Sequence, residues 1–231
     1  VFWEFGMLRG QFEDDLQLWT IGAGWAKPRG GFLPKVRIPT RPMLGWVGVA
    51  PAFGKHPMIP PRRTGGNLDH RLVGAGSVLS LPVEVDGALL SLGDPHAAQG
   101  DGEACGTGIE TSADVELELR VVPGAAPRSP FLTAPTTAGT SGPVVASLGV
   151  GPDLAQVSVE ALEGLLDRLE EHGVPRKAGY LLASVAGELR ISEAVDLPNY
   201  VVSASFPLRL LPRRTNVKGP RTSARPRRPG R

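Results

Sequence analysis

Proline and glycine set the first limit on this chain. Pro39, Pro42, Pro51, Pro57, Pro60 and Pro61 crowd one short stretch. Each lacks a backbone donor and clashes with the preceding helical turn, so no sustained helix runs through residues 1–64. With 30 glycines and 23 prolines among 231 residues, turns and short strands are favoured over long helices. That length is enough to bury a real core, as one large all-β unit or two small ones.

Short strands are expected at Leu16–Ile21, Val36–Ile38 and Trp46–Val49. Further on, the apolar runs Ser77–Val85 and Ala88–Asp94 are separated by Asp86–Gly87, which predicts a hairpin. Ala113–Val122 alternates with period two. Val115, Leu117, Leu119 and Val121 fall on one face and Glu116, Glu118 and Arg120 on the other, as in a half-exposed antiparallel strand. Residues 123–143 read as a loop. One helix is expected at Ser158–His172, with Leu162, Leu165, Leu166 and Leu169 as its buried stripe, Ser158 as cap and Gly173 as stop. Three strands should follow, turning near Ala186–Gly187. The fold class is mainly β with one prominent helix.

Charge is unevenly placed. The formal net charge is +2, but Arg213–Arg231 carries eight basic residues and no acid, which leaves the body before it at −6 (2 − 8). Such a run can neutralise phosphates. It has no aromatic residue for stacking bases and is rich in Pro, Gly, Ser and Thr, so residues 212–231 read as a disordered tail and nucleic acid is not the expected partner. A single cysteine, Cys105, excludes an internal disulfide framework and points to a reducing compartment. No apolar run reaches the ~18 residues of a membrane span, and the opening segment lacks a signal-peptide pattern. A cytoplasmic protein without a membrane partner is expected.

The chemistry gathers in Gly93–Glu103, "GDPHAAQGDGE". Asp94 and His96 are two apart, so an extended backbone projects both to one side, and Asp101 and Glu103 repeat the spacing. Carboxylates this close repel unless a proton or cation lies among them. Carboxylate with imidazole suits zinc, and an all-oxygen set suits calcium or magnesium; the frame is not an EF-hand. A solvated acidic loop capped by its own backbone is the other reading. Asn67 and Asp69 in "GGNLDH" form a second polar cluster, readable also as an Asx turn. Cys105 reads either as a nucleophile or as a small buried apolar group. His56, His70 and His172 are assigned no chemistry.

The run from Gly65 to Leu119, "GGNLDHRLVGAGSVLSLPVEVDGALLSLGDPHAAQGDGEACGTGIETSADVELEL", resembles the central signature of the acetamidase/formamidase family. The resemblance extends upstream through "VRIPTRPMLGWVGVAPA" and downstream through "GYLLASVAGELRISEAVDLPNYVVSASFPL", which makes residues 1–211 one unit. It implies a β-sandwich-rich fold, hydrolysis of short aliphatic amides to ammonia and a carboxylate, a bound divalent metal and a homo-oligomer. The family's N-terminal β-rich portion has no counterpart before Val1, and the basic tail lies outside the family pattern.

An unactivated amide needs its carbonyl polarised, its water deprotonated and its amine protonated. On these grounds Asp69, Asp94 and His96 are the expected ligands of a divalent ion, zinc or calcium. Glu103 is the expected base, with Asp101 as ligand or orienting group. Asn67, Gln99, Gly100 and Gly102 are the expected substrate contacts, with backbone N–H groups of Gly100–Gly106 as an oxyanion site. Small neighbouring side chains suit formamide or acetamide. Covalent catalysis by Cys105 with Glu103 as base, an incomplete non-catalytic fragment, and a nucleic-acid binder using the tail remain the alternatives.

Overall fold

The leucine stripe lies in a helix longer than its own pattern announces. In a computed structural model, which describes residues 5–30, 35–124, 126–135 and 142–211, helix α1 runs Leu154–Glu171. The basic tail and the ends of some loops lie outside the described residues. Asp153, not Ser158, caps α1: its carboxylate accepts from the N–H groups of Ala155 and Gln156. The Ser158 hydroxyl instead donates to the Leu154 carbonyl of its own first turn. Gly173 ends the helix at φ +82°, a backbone state open to glycine.

A second helix, α2 (Arg176–Ala186), replaces the expected strand. Its run "GYLLASVA" is too short for periodicity to separate helix from strand. Ala178, Leu182, Ala183 and Ala186 recur at helical spacing and pack on the α1 core, and Gly179 brings the helices close over Leu166 and Leu169.

In chain order the strands are β1 (Trp19–Gly22), β2 (Trp25–Pro28), β3 (Ile38–Pro39), β4 (Met43–Gly48), β5 (Gly65–Asn67), β6 (Val78–Ser80), β7 (Ser91–His96), β8 (Phe131–Ala134), β9 (Val144–Gly151), β10 (Glu188–Glu193) and β11 (Tyr200–Pro207). They form three antiparallel sheets, in the orders β1-β2-β3, β10-β11-β9-β8-β6 and β5-β4-β7. Strand alternation splits the central five-stranded sheet into two faces. Val145, Val202, Ala204 and Phe206 meet α1, while Leu132, Ala134, Val144 and Ala146 pack with Leu44 and Val47 of β4. Helices thus cover one face and a second sheet covers part of the other, and the fold is mainly β.

Three local expectations fail for tertiary reasons. Residues 85–89 do turn, with Gly87 at φ +77°, but the flanking strands do not pair: β6 joins β8 and β7 joins β4 in another sheet. Ala113–Val122 is not a strand, and Leu119 and Val121 are exposed, so its alternation meets no sheet among the described residues. The expected loop at 123–143 contains β8. Among the described residues no helix is long and apolar enough to cross a membrane.

Candidate functional site

Strand β4 is the platform. On one side it pairs with β5, which leads into Asp69, and on the other with β7, which carries Asp94 and His96. Between them lies Gly45. A Cβ there would collide with both Asp69 Oδ1 and Asp94 Oδ2, so glycine is what allows two carboxylates to close over the strand. Asp69, Asp94 and Glu103 are three of only five described non-glycine residues at positive φ (+39°, +55° and +44°). Such strain persists where surrounding bonds over-determine it. Here the Asp69 N–H donates to Gly45 O at 3.1 Å, and Glu103 is clamped by Glu103 N→Gly100 O and Gly106 N→Glu103 O.

His96 is the hub, and it is buried. Gln99 donates through Nε2 to the Asp69 carbonyl at 2.6 Å, which turns its Oε1 toward His96 Nδ1 at 2.8 Å. Nδ1 must therefore donate, and in the neutral ring Nε2 carries the lone pair. Nε2 faces Glu110 Oε2 at 2.9 Å, Asp94 Oδ1 at 3.3 Å and Asp69 Oδ1 at 3.8 Å. Glu103 Oε1 lies 3.8 Å from Nδ1. The i, i+2 pairing of Asp94 with His96 is as expected from the sequence, and Asp69 and Glu103 join them.

Behind this group lie residues that sequence reasoning passed over. Glu193 and Asp196 come from the end of β10 and the turn after it. Gly102 N donates to Ser192 O and bridges to Glu193 in parallel, which ties the Glu103 loop to that strand. Glu193 Oε1 accepts from the N–H groups of Val195 and Asp196, and Asn67 Nδ2 donates to Asp196. Asn67 is therefore an orienting group for a carboxylate. Glu110 arrives through an isolated bridge between His96 and Glu110. Local periodicity marks none of the three acids; the spacing of Glu193 and Asp196 beside a strand end was the only available signal.

Other expected residues stand elsewhere. Asp101 pairs with Arg71 at 2.7 Å and Arg190 at 2.9 Å, outside the cluster. The N–H groups of Gly102, Glu103 and Gly106 are engaged by carbonyls of the fold, so they form no oxyanion site here, and the Gly100 carbonyl holds the Glu103 turn. Cys105 is exposed and directs its thiol to Thr107 O at 3.5 Å. His70, assigned no chemistry, is buried with Nδ1 accepting from Leu72 N–H.

The electrostatics are those of a cluster short of positive charge. Burial pushes Asp69 up to about 8, aided by the charges of Asp94 and Asp196. Burial beside Asp69 and Glu193 pushes Glu103 up to about 10. Glu193 rises to about 7 and Asp196 to about 6, again first through burial. For His96 burial acts downward, but hydrogen bonds to Asp94 and Glu110 and the surrounding carboxylates outweigh it and raise the ring to about 11. The hydrogen bond from His96 holds Asp94 below the usual carboxylate range. Asp69 Oδ1 and Glu193 Oε2 are buried with no hydrogen-bond partner. Orphaned carboxylate oxygens of this kind fit a divalent cation. Donor atoms of Asp69, His96 and Glu103, of Asp94, His96 and Glu110, and of Asp69, Glu193 and Asp196 lie within 4.8 Å of one another in each group.

A mainly β architecture with a buried carboxylate–imidazole cluster on a glycine platform defines the class of protein. Residues 54–212 match the acetamidase/formamidase family, and the chain belongs to it. It is similar to an acetamidase of Mycolicibacterium smegmatis, 43% identical over 68 residues, which cover 29% of this chain and 16% of that protein. It is also similar to a formamidase of Methylophilus methylotrophus, 27% identical over 189 residues, covering 73% of this chain and 46% of that one. Among solved structures, a predicted acetamidase/formamidase from Thermoanaerobacter tengcongensis superposes with TM-score 0.70 and 31% identity, over 81% of this chain and 58% of that one. An acetamidase from Yersinia enterocolitica gives TM-score 0.71 and 25% identity, over 91% and 63%. The chain thus spans less than two thirds of each of these relatives.

Proposed function

We propose that this chain carries the hydrolytic centre of an amidase acting on short aliphatic amides such as formamide and acetamide, with a divalent cation at His96. The observation that supports this reading most directly is the convergence of Asp69, Asp94 and Glu110 on the Nε2 side of His96, with Asp69 Oδ1 buried and without a hydrogen-bond partner. Asp69, Asp94 and His96, with Glu110 beside them, would hold the ion. When bound, it supplies polarisation of the amide carbonyl and a lowered pKa for water.

The chain's residues do the rest. Gln99 fixes the His96 tautomer so that its lone pair faces the carboxylates. Gly45 lets Asp69 and Asp94 approach each other. Glu103 keeps its proton at neutral pH while its neighbours carry uncompensated charge, and positive charge beside Asp69 lowers its pKa toward the base form. As a carboxylate it accepts a proton from water as the water oxygen bonds to the carbonyl carbon. It returns that proton to the nitrogen as the C–N bond breaks, which yields ammonia and the carboxylic acid, whose remaining proton passes to ammonia or solvent to leave the carboxylate.

The test is ammonia release from formamide and acetamide, with and without chelator, beside Glu103→Gln. Chelation should abolish turnover and Glu103→Gln should lower kcat by ~10²–10⁴-fold. Turnover that survives both but is lost on thiol alkylation would transfer the chemistry to Cys105. A second reading, cation binding without turnover, draws on the share of its relatives that the chain spans; folded, cation-loaded and inactive protein would favour it.

A further inference from the structure

Outside the His96 cluster, one buried polar side chain has no chemistry to account for it. His70 is 2% exposed. Its Nδ1 accepts from the Leu72 N–H at 3.2 Å, which fixes both the orientation of the ring and its tautomer. The ring proton therefore sits on Nε2, and Nε2 has no hydrogen-bond partner among the described residues. A buried N–H is seldom left this way, because it has given up water and gained nothing in return.

His70 lines a small cavity with Arg71, Asp101, Arg190, Ser203 and Ser205, where the centre of a water molecule has about 10 Å³ of room. That is enough for one water and too little for two. The walls come from separate segments of the chain. On β11, Ser203 and Ser205 alternate with Val202, Ala204 and Phe206, so they point away from α1. Arg190 of β10 lies opposite Ser203 in the antiparallel register. Asp101 is held between Arg71 at 2.7 Å and Arg190 at 2.9 Å, and Ser203 Oγ meets Ser192 Oγ at 2.8 Å. None of these groups bonds Nε2 directly. A water can do so. Its oxygen accepts from Nε2–H, and its two protons go to carboxylate or hydroxyl oxygens, which Asp101, Ser203 and Ser205 supply.

We propose that this cavity is the binding site of a single internal water molecule, held by His70 Nε2 and bridging the turn after Asp69 to β11. The other side of that turn is already fixed to β4, where Asp69 N donates to Gly45 O and Leu44 N donates to Val73 O. The water supplies the matching tie on the β11 side, so the turn is held from both sides. The site stands whether or not the chain turns over amides.

A crystal structure that resolves ordered solvent should show one water at about 2.7–3.2 Å from His70 Nε2, with further contacts to Asp101, Ser203 or Ser205. His70→Gln, whose Nε2 takes the place of the imidazole Nε2, should keep that water, and His70→Leu should lose it. Both variants lose the Nδ1 acceptor, so the difference between them reports on the Nε2 side alone. The Val73 amide donates to His70 O, and its hydrogen exchange should be ~2–10-fold faster in His70→Leu than in His70→Gln. Should His70→Leu fail to fold by circular dichroism, solvent density in the wild type decides the question by itself. An Nε2 with no water beside it in the wild type, an ion in the water's place, or the same ordered water in His70→Leu overturns the site. Equal exchange in the two folded variants overturns the bridge.

Discussion

Two regions of this molecule are built on opposite terms. Over β9 and β11, α1 buries Val157, Ala161, Leu165, Leu166 and Leu169 against Val145, Val202, Ala204 and Phe206, an apolar cluster. Over β4, an equally buried volume is filled by Asp69, His96, Glu103, Glu193 and Asp196. The apolar interface gains by excluding water and needs no partner beyond its own packing. The charged cluster loses solvation and recovers it only through bound protons or a counter-charge. The first region stabilises the fold outright, and the second stores a demand that a ligand must meet.

The largest expected effect comes from withholding that ligand and raising pH. Asp69 and Glu103 titrate near 8 and 10 in the fold, against about 4 in an unfolded chain. The folded state thus holds protons that the unfolded state has released, so stability falls as pH rises from about 4 toward those values. His96, raised to about 11, has the same sign: its contribution is full below about 6.5 and is lost above. In chelator, the melting temperature by calorimetry should fall steadily from pH 5 to pH 9, and an added divalent cation should flatten that fall. A flat or rising profile in chelator would erase the contrast between the two regions.

Crossed substitutions test it next. Leu165→Ala removes a fully buried side chain from the apolar interface and should cost about 2–5 kcal/mol in denaturant unfolding. The protein that remains folded should bind cation as before. Gly45→Ala should do the reverse. Its added methyl displaces Asp69 and Asp94, so cation affinity by calorimetry should drop about 10–100-fold with far-UV dichroism unchanged. If Leu165→Ala weakened binding as much as Gly45→Ala, the regions would be one cooperative device rather than two.

The same division decides what the sequence could reveal. The α1 stripe was legible because its repeat is local and its environment uniform. Asp94 and His96 were legible because i, i+2 spacing on a strand carries its own geometry. Glu110, Glu193 and Asp196 were not, because only the β4 pairings, the His96–Glu110 bridge and the Gly102 tie to β10 bring them to the cluster. The hairpin failed in the same way: turn chemistry at Asp86–Gly87 is local and correct, but partner choice for β6 and β7 belongs to two different sheets. Ala113–Val122 shows that alternation states a capacity to pair, which the described residues leave unused.

The smallest effect sharpens the boundary of the apolar region. The Asp153 carboxylate accepts two N–H groups in the first turn of α1, each at 2.9 Å, while Ser158, the cap expected from the leucine pattern, bonds back to Leu154 O from inside the helix. Asp153→Ala should therefore cost about 1 kcal/mol, a shift of about 2–4 °C in melting temperature for a chain of this size. Ser158→Ala should cost much less, because the Leu154 carbonyl keeps its place in the helix ladder. Neither should change the cation content, since α1 packs on β9 and β11, whereas the cluster is built over β4. If the two substitutions were reversed in size, the helix would begin where its leucines do and its extra first turn would lose its physical reason.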